Sequence, residues 1–363
     1  MNIELVRLSG FRNLGRITLE LPPGVSVFAG DNAQGKTNLL EAVYLCSTGR
    51  SRRAKGDREM IAFGEQEAFV QTTFHNAAGY QSRVDIHLRQ GRSKGAAING
   101  IPIRTVSELF GNLMCILFTP EDLQLIKSGP GERRRFVDIE LCQISKPYVY
   151  HLQTYHRILK QRNNLLRSLK KSADKSLAET LEAWDIQLVT HGKALHDMRA
   201  TYVQNLGKVA ARIHASLSGG RETLRISYKP HTHPDEMQAT LRRTLERDIA
   251  LGATSAGIHK DDIYFEVTGS DARLYASQGQ QRTVALCAKL AQVELAREAK
   301  GTPPVLLLDD VLSELDEGRQ KQLLAHLHGL QALITCTGVE DIVHKISSET
   351  HAKIYRVKNG DIY

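Results

Sequence analysis

A chain of 363 residues, 41% hydrophobic and 24% charged, is long enough to bury about two cores of ordinary size, and no apolar run approaches the ~20 residues a helical membrane span needs. Five cysteines, Cys46, Cys115, Cys142, Cys287 and Cys336, stand singly in apolar contexts, which argues against a disulfide framework or a Cys-x-x-Cys metal site and predicts small buried hydrophobes. Lysine and arginine number 48 against 40 acids, a formal charge of +8 that points toward a polyanionic partner such as nucleic acid; with no signal-like start to the chain, a cytoplasmic protein is expected.

Residues 3–8 and 17–21 alternate apolar and polar around Gly10-Phe11-Arg12-Asn13-Leu14-Gly15, which predicts a hairpin. The apolar run 25–29 then reads as a buried strand and 38–45 as a buried helix. Between them, Gly30-Asp31-Asn32-Ala33-Gln34-Gly35-Lys36-Thr37 matches G-x-x-x-x-G-K-[ST] at every fixed position, in the strand–loop–helix order that a phosphate-binding loop requires. The glycines let successive N–H groups and the helix N-terminus face one anion. Lys36 is placed to reach the β- and γ-phosphates and Thr37 to hold Mg²⁺ through its hydroxyl. At the far end of the helix lie Arg50, Arg52, Arg53 and Lys55, either a solvated face or a surface near nucleotide or DNA.

Strand-like stretches follow at 68–74 and 81–88, and Ile98-Asn99-Gly100-Ile101 carries the Asn-Gly hairpin signal. The apolar run 113–118 ends at Thr119-Pro120-Glu121-Asp122-Leu123, a helix start. Arg133, Arg134 and Arg135 point around a helix rather than along one face, so at least one is expected in a structural ion pair. From about Tyr148 the pattern turns to long helices. Tyr148, Leu152, Tyr155, Leu159, Arg162, Leu166 and Leu169 form one stripe, with Arg162 its only polar member. Leu177, Leu181, Trp184, Leu188, His191, Leu195, Met198, Tyr202, Leu206, Val209 and Ile213 form another. Separated by the basic turn 170–175, two such helices pack antiparallel and bury their stripes. Leu217-Ser218-Gly219-Gly220 spells the signature of ABC-type ATPases, yet an alternating strand follows where a signature must open a helix, so the glycines are expected to end the preceding helix. His259, Asp261 and Asp262 precede a strand at 263–267 that points neighbouring acids to opposite faces, and no transition-metal site is expected there.

Ala276-Ser277-Gln278-Gly279-Gln280-Gln281-Arg282 opens a long apolar helix, a second anion-receiving helix start. Residues 305–308 read as a buried parallel strand that ends in Asp309 and Asp310, and ligands collect at the carboxyl ends of such strands. Asp309 is therefore expected beside the phosphate loop, holding Mg²⁺, and Asp310 is the candidate for polarising an attacking water. Ser313-Glu314-Leu315-Asp316, a helix and an apolar strand at 332–337 follow.

The order phosphate loop, Ser-Gln-Gly-Gln-Gln-Arg at 277–282, Asp309-Asp310 and Ser-Glu-Leu-Asp at 313–316 resembles ABC-type ATPases of the SMC and Rad50 kind, and its particular wording resembles the bacterial RecF family. Phe11-Arg12-Asn13, residues 35–42, Pro120-Glu121-Asp122-Leu123, Arg133-Arg134-Arg135-Phe136 and Gln161-Arg162-Asn163 look like blocks of that family and span nearly the whole chain. The resemblance implies an α/β, ABC-type phosphate-loop ATPase head with a mixed β-sheet, formed by 1–128 and 251–363, with an inserted α-helical arm at 129–250. It implies ATP and Mg²⁺ as cofactors, ATP lying between two head-to-tail subunits. Gly30, Asp31, Asn32, Ala33, Gln34, Gly35, Lys36, Thr37 and Asn38, with Arg12 and Asn13, would bind it in one chain, and Ser277, Gly279 and Gln280 in the other. Lys36, Ser277 and Asp310 are the implied catalytic residues, Thr37 and Asp309 the implied metal ligands, and Gln124 a candidate for a Q-loop role.

The same resemblance implies an ATP-dependent homodimer that clamps double-stranded DNA and single/double-strand junctions in replication, repair and the SOS response. It would help load RecA at gaps with RecR and RecO, through a weak, DNA-stimulated ATPase whose slow turnover releases the clamp. The expected DNA surface is Arg50, Arg52, Arg53 and Lys55, with Lys160, Lys170 and Lys171 from the arm. Two departures stand out. The family's Gly-Pro-His-Arg-Asp-Asp is Gly257-Ile258-His259-Lys260-Asp261-Asp262 here, and Asp310 is one methylene shorter than the Glu of transport-type relatives, which implies slow hydrolysis. The alternatives are an SMC- or Rad50-like tethering ATPase, against which the helices are short and lack a Cys-x-x-Cys hook, and a transporter ATPase subunit, against which stands the basic balance.

Overall fold

The computed structural model describes residues 1–171, 175–337 and 351–363, with side chains left out for 175–179. The described residues divide into two compact units, Met1–Leu123 with Ala285–Tyr363, and Gln124–Val284. These contact-defined units divide at 124 and 284, whereas the sequence reading sets the arm at 129–250. Strand Asp262–Val267 pairs along its whole length with Leu224–Lys229, so 262–267 counts within the second unit.

The first unit contains a six-stranded sheet in the order Asp361–Ile362, Lys353–Lys358, Val25–Gly30, Ala332–Thr337, Val305–Asp309 and Cys115–Phe118. All neighbours run parallel except the pair formed by Asp361–Ile362. Strand Val305–Asp309 is buried at every position, as a strand covered on both faces must be, which is why it reads as an unbroken apolar run. A second, antiparallel sheet follows the order Ile17–Glu20, Asn2–Ser9, Glu67–His75, Gln81–Arg89, Gly95–Ile98 and Ile101–Pro102. A bulge between Ile3 and Leu5 shifts its register, so that Ile3 and Val6 are both buried despite their odd spacing. The Asn-Gly turn is formed by Asn99 and Gly100 at φ 52° and 80°, the left-handed pair a two-residue hairpin needs.

Helix Lys36–Thr48 touches strands of both sheets. Every residue from Leu39 to Thr48 is buried on it, the polar Glu41, Ser47 and Thr48 included, so no face of that stretch meets solvent and the helix lies in the core. Each of its buried leucines stabilises the packing by about 1.5–3 kcal/mol. The phosphate-loop end of this helix is thus anchored by the hydrophobic core of the unit.

In the second unit, helices Lys146–Lys171 and Lys175–Ser218 are antiparallel, because Tyr148 meets Arg199, His151 meets His191 and Arg162 meets Asp185. Tyr148, Tyr155, Arg162 and Leu166 of one stripe and Leu181, Leu188, Leu195, Tyr202, Leu206 and Ile213 of the other are buried. The Leu177 side chain and the turn residues 172–174 lie outside what is described. Arg162, with 0% exposure, belongs in its stripe because Asp185, Asp248 and the Thr254 hydroxyl receive its guanidinium at 2.6, 2.8 and 2.9 Å. The ion pair expected of the arginine triplet is made by Arg133, bidentate to Asp262 at 2.7 and 2.9 Å. Gly219 and Gly220, at φ 61° and 74°, stop the long helix, and strand Leu224–Lys229 follows. No helix of the described residues is long and apolar enough to cross a membrane.

Candidate nucleotide-binding site

Parallel strands end on one side of a sheet, and three ends matter here. Strand Val25–Gly30 runs into the phosphate loop, Ala332–Thr337 lies beside it, and Val305–Asp309 lies beside that, with Thr335 opposite both Phe28 and Asp309. Two strand spacings of about 4.8 Å separate loop and acid. The gap is closed by hydroxyls: Thr37 Oγ1 and Thr335 Oγ1 each donate to Asp309 Oδ1 at 2.8 Å. Burial raises the Asp309 pKa, while the two hydroxyl donors oppose that rise.

Asp310 takes a left-handed backbone, φ 51°, and its N–H donates to the Thr335 carbonyl and hydroxyl at 3.2 and 3.0 Å. Its Oδ1 is buried without a hydrogen-bond partner among the described residues. A strained residue with an unsatisfied acceptor is tolerated where the surrounding structure enforces it, typically at a functional site.

In the loop itself Ala33 and Gly35 have φ 64° and 114°, while Gln34 between them is not at positive φ. The φ of Gly35 favours glycine on conformational grounds, and a Cβ there would also stand 2.6 Å from Leu14 Cδ2, which would have to shift. Lys36, 6% exposed, curls back so that Nζ donates to the Gly30 and Asp31 carbonyls at 2.6 Å each. Burial lowers its pKa, against the pull of Asp310, Cys336, Asp309 and Asp31. An ammonium stripped of water and held only by carbonyls is a strong attractor for a phosphate.

A cavity of about 300 Å³ opens here, lined by Asn32, Ala33, Gly35, Lys36, Thr37 and Asn38 on the loop side and by Arg53, Asp309, Asp310 and Thr335 across from it. The other residues expected at the nucleotide do not line it. Gly30 and Asp31 supply the carbonyls for Lys36. Asn13 donates to the Ala33 carbonyl at 3.0 Å and accepts from Asn38 at 2.7 Å, propping the loop from behind. Arg12 is bidentate to buried Glu41 at 3.0 and 2.8 Å. Gln34 faces away from the cavity, toward Asn359 and Gly360.

The residues of the basic cluster differ in their contacts. Arg50, Arg53 and Lys55 are exposed. Arg52 is paired with Asp122 at 2.7 Å, its side chain 27% exposed. Arg53 lines the cavity, 3.1 Å from Asn38 Oδ1. Thr335 is a cavity residue that the sequence did not single out, and Arg53 was read only as part of a basic run near nucleotide or DNA. Arg53 is separated from the loop by a whole helix, and its only sequence signal was the basic run around it. Lys160, Lys170 and Lys171 are exposed on helix Lys146–Lys171 of the second unit.

In that unit Ser277 and Gln280 form a reciprocal capping box: Gln280 N–H donates to Ser277 Oγ at 3.2 Å and Ser277 N–H to Gln280 Oε1 at 2.7 Å. Gln280 also donates to Glu222 at 2.8 Å. Ser277 is exposed and Gly279 half-buried, at the start of helix Gln278–Lys300. Gln124 accepts from Ser128 Oγ at 2.7 Å. His259 has structural partners, Tyr155 Oη on Nδ1 and the Thr254 carbonyl on Nε2, and burial, first among several causes, lowers its pKa to about 4. Asp261 accepts from Tyr228 and from the His231 N–H.

The RecF/RecN/SMC N-terminal domain family matches residues 2–362. The chain is 45% identical, over 363 residues, to the DNA replication and repair protein RecF of Lachnoclostridium phytofermentans, covering 100% of this chain and 99% of that one. It belongs to the RecF family. A second RecF, from Clostridium acetobutylicum, is 38% identical over 367 residues, covering 100% of this chain and 99% of that one. The solved structure of the recombination mediator protein RecF-ATP in the RecFOR pathway superimposes with a TM-score of 0.92 at 32% identity, covering 100% of this chain and 97% of the other. The Smc head domain of Pyrococcus furiosus, at 16% identity and a TM-score of 0.57 over 99% of this chain and 95% of that one, shares the fold. RecF and SMC heads thus place the sheets and helices described above in the ABC-type ATPase fold.

Proposed function

We propose that this chain binds Mg²⁺-ATP at residues 30–38 and uses it to switch between a free monomer and a DNA-bound homodimer in recombinational repair. The observation that carries this reading is the convergence of Lys36, Thr37 and Asp309 on one cavity at the carboxyl ends of parallel strands. Lys36 exchanges its two loop carbonyls for the β- and γ-phosphates, and the loop N–H groups take the remaining phosphate oxygens. The Thr37 hydroxyl and the Asp309 carboxylate are hard oxygens that would suit Mg²⁺, whose chemistry there would be to neutralise charge on the phosphates. Asp310 orients and polarises the attacking water, and its short side chain suits slow turnover.

The exposed, capped helix start at Ser277 and Gly279 of a second copy supplies N–H groups to the γ-phosphate. ATP then stabilises the dimer because only the dimer completes its contacts. The first unit acts as the ATPase head and the second as the arm. Arg50, Lys55, Lys160, Lys170 and Lys171 are the free cations of this reading that contact DNA phosphates, at junctions and duplex. RecR, RecO and RecA act with it, as membership of the RecF family and the RecFOR description of a solved RecF suggest.

Sedimentation with and without ATP and gapped DNA, on the wild type, Lys36→Met and Ser277→Arg, tests the whole reading. The wild type is expected to dimerise and bind DNA only with ATP, Lys36→Met to do neither, and Ser277→Arg to bind ATP yet stay monomeric. Dimers of Ser277→Arg at wild-type levels would reject the composite site.

A further inference from the structure

Lys353–Lys358 and Asp361–Ile362 form a hairpin whose turn, Asn359-Gly360, lies against the outer side of the phosphate loop. The Asn359 N–H donates to Gln34 Oε1 at 2.5 Å, and the Gly360 N–H donates to the Gln34 carbonyl at 3.0 Å. Gln34 is therefore held by its side chain and its backbone at once. Both turn residues are left-handed, φ 51° and 85°, which aims their adjacent N–H groups the same way. The contact is backbone on backbone: a Cβ on Gly360 would stand 2.2 Å from the Asn13 carbonyl oxygen, and one on Gly30 2.3 Å from the Val357 carbonyl oxygen. With the Gln34 carbonyl committed outward to Gly360, the Gly35 N–H, on the opposite edge of the same planar peptide, is directed away from the hairpin.

We propose that this hairpin turn pre-organises the phosphate loop, with Gln34 and Gly360 as positioning residues for phosphate binding. The proposal rests on the nucleotide reading given above. Donors already aimed at the ligand need no reordering when it binds, whereas a loosened loop must be ordered at the ligand's expense. The coupling is reciprocal, so nucleotide must in turn tighten the hairpin.

Amide hydrogen exchange of the full chain with and without Mg²⁺-ATP tests the coupling. Peptides covering 30–38 and 353–363 are both expected to slow. Slowing at 30–38 alone overturns the proposal and leaves the nucleotide site standing; slowing at neither overturns both. A second measurement uses Gln34→Leu, which removes the acceptor for Asn359 and is expected to weaken ATP binding about three- to tenfold, the worth of one hydrogen bond. Its control is Tyr355→Phe, which removes the Tyr355 hydroxyl bond to the Glu20 carbonyl from the same hairpin. That variant is expected to lower the thermal midpoint and keep wild-type ATP affinity. Equal loss of affinity in Tyr355→Phe, or none in Gln34→Leu, overturns the positioning role.

Discussion

Thr37 Oγ1 donates to Asp309 Oδ1 at 2.8 Å across 272 residues of chain, and Thr335 donates to the same oxygen. One carboxylate oxygen therefore ties the loop helix to the end of a strand. Asp309→Asn keeps the acceptor for both hydroxyls and removes the charge. The variant is expected to fold normally and to bind ATP in EDTA as the wild type does, but to lose the Mg²⁺-dependent gain in affinity by about tenfold or more, ~1.4 kcal/mol. Titration of a fluorescent ATP analogue with and without Mg²⁺ measures it. An undiminished Mg²⁺ effect would remove Asp309 from the metal site.

Arg162 bridges Asp185 and Asp248 within the second unit. Burial raises the Asp185 pKa, and Arg162 is the leading group opposing that rise. Arg162→Met strands two buried carboxylates and is expected to destabilise the protein by about 3–5 kcal/mol, read from the urea midpoint. A loss under about 1 kcal/mol would show the network to be dispensable.

His259 is held neutral, its Nε2–H donating to Thr254 and its Nδ1 accepting from Tyr155. Desolvation, with Lys260, Arg134 and His156 nearby, takes its pKa from 6.5 to about 4. The folded state therefore binds this proton less tightly than the unfolded one. The resulting stability is complete above about pH 6.5 and declines as pH falls toward 4, by up to about 3 kcal/mol. Chemical denaturation at pH 7 and pH 4.5 should show a smaller acid loss in His259→Gln than in the wild type; equal losses would place the acid sensitivity elsewhere.

Arg50 and Lys55 are exposed, whereas Arg52 is tied to Asp122. The double change Arg50→Glu and Lys55→Glu is expected to weaken DNA of any sequence equally and to reduce the salt slope of binding by about two, with an unchanged thermal midpoint. Arg52→Glu sets two carboxylates together and is expected to lower that midpoint. An unaltered salt slope in the double variant would move the DNA surface elsewhere.

Much of the first unit was legible because its signals are local. The phosphate loop matches at every fixed position between an apolar strand and an apolar helix, and 305–310 announces a buried strand ending in acids. Gly219-Gly220 could be read as a helix stop because the strand that follows alternates. Arg162 stood out as the one polar member of a stripe, although its partners Asp185 and Asp248 could not be named. What escaped was long-range. Arg53 reaches the cavity by folding back beyond the loop helix, Arg52 finds Asp122, and the pairing of Asp262–Val267 with Leu224–Lys229 counts 262–267 within the second unit. Strand register and tertiary ion pairs leave no trace in a short window of sequence.

Strand Val25–Gly30 leaves the ribosome long before both of its sheet neighbours, Ala332–Thr337 and Lys353–Lys358, and Asn359 meets Gln34 across 325 residues. During synthesis the strand that carries the phosphate loop has two open, apolar edges, a template for wrong pairing. Closure of such distant contacts is slow. The nascent chain should therefore need protection from aggregation until these late strands dock, and nucleotide cannot stabilise this protein until then.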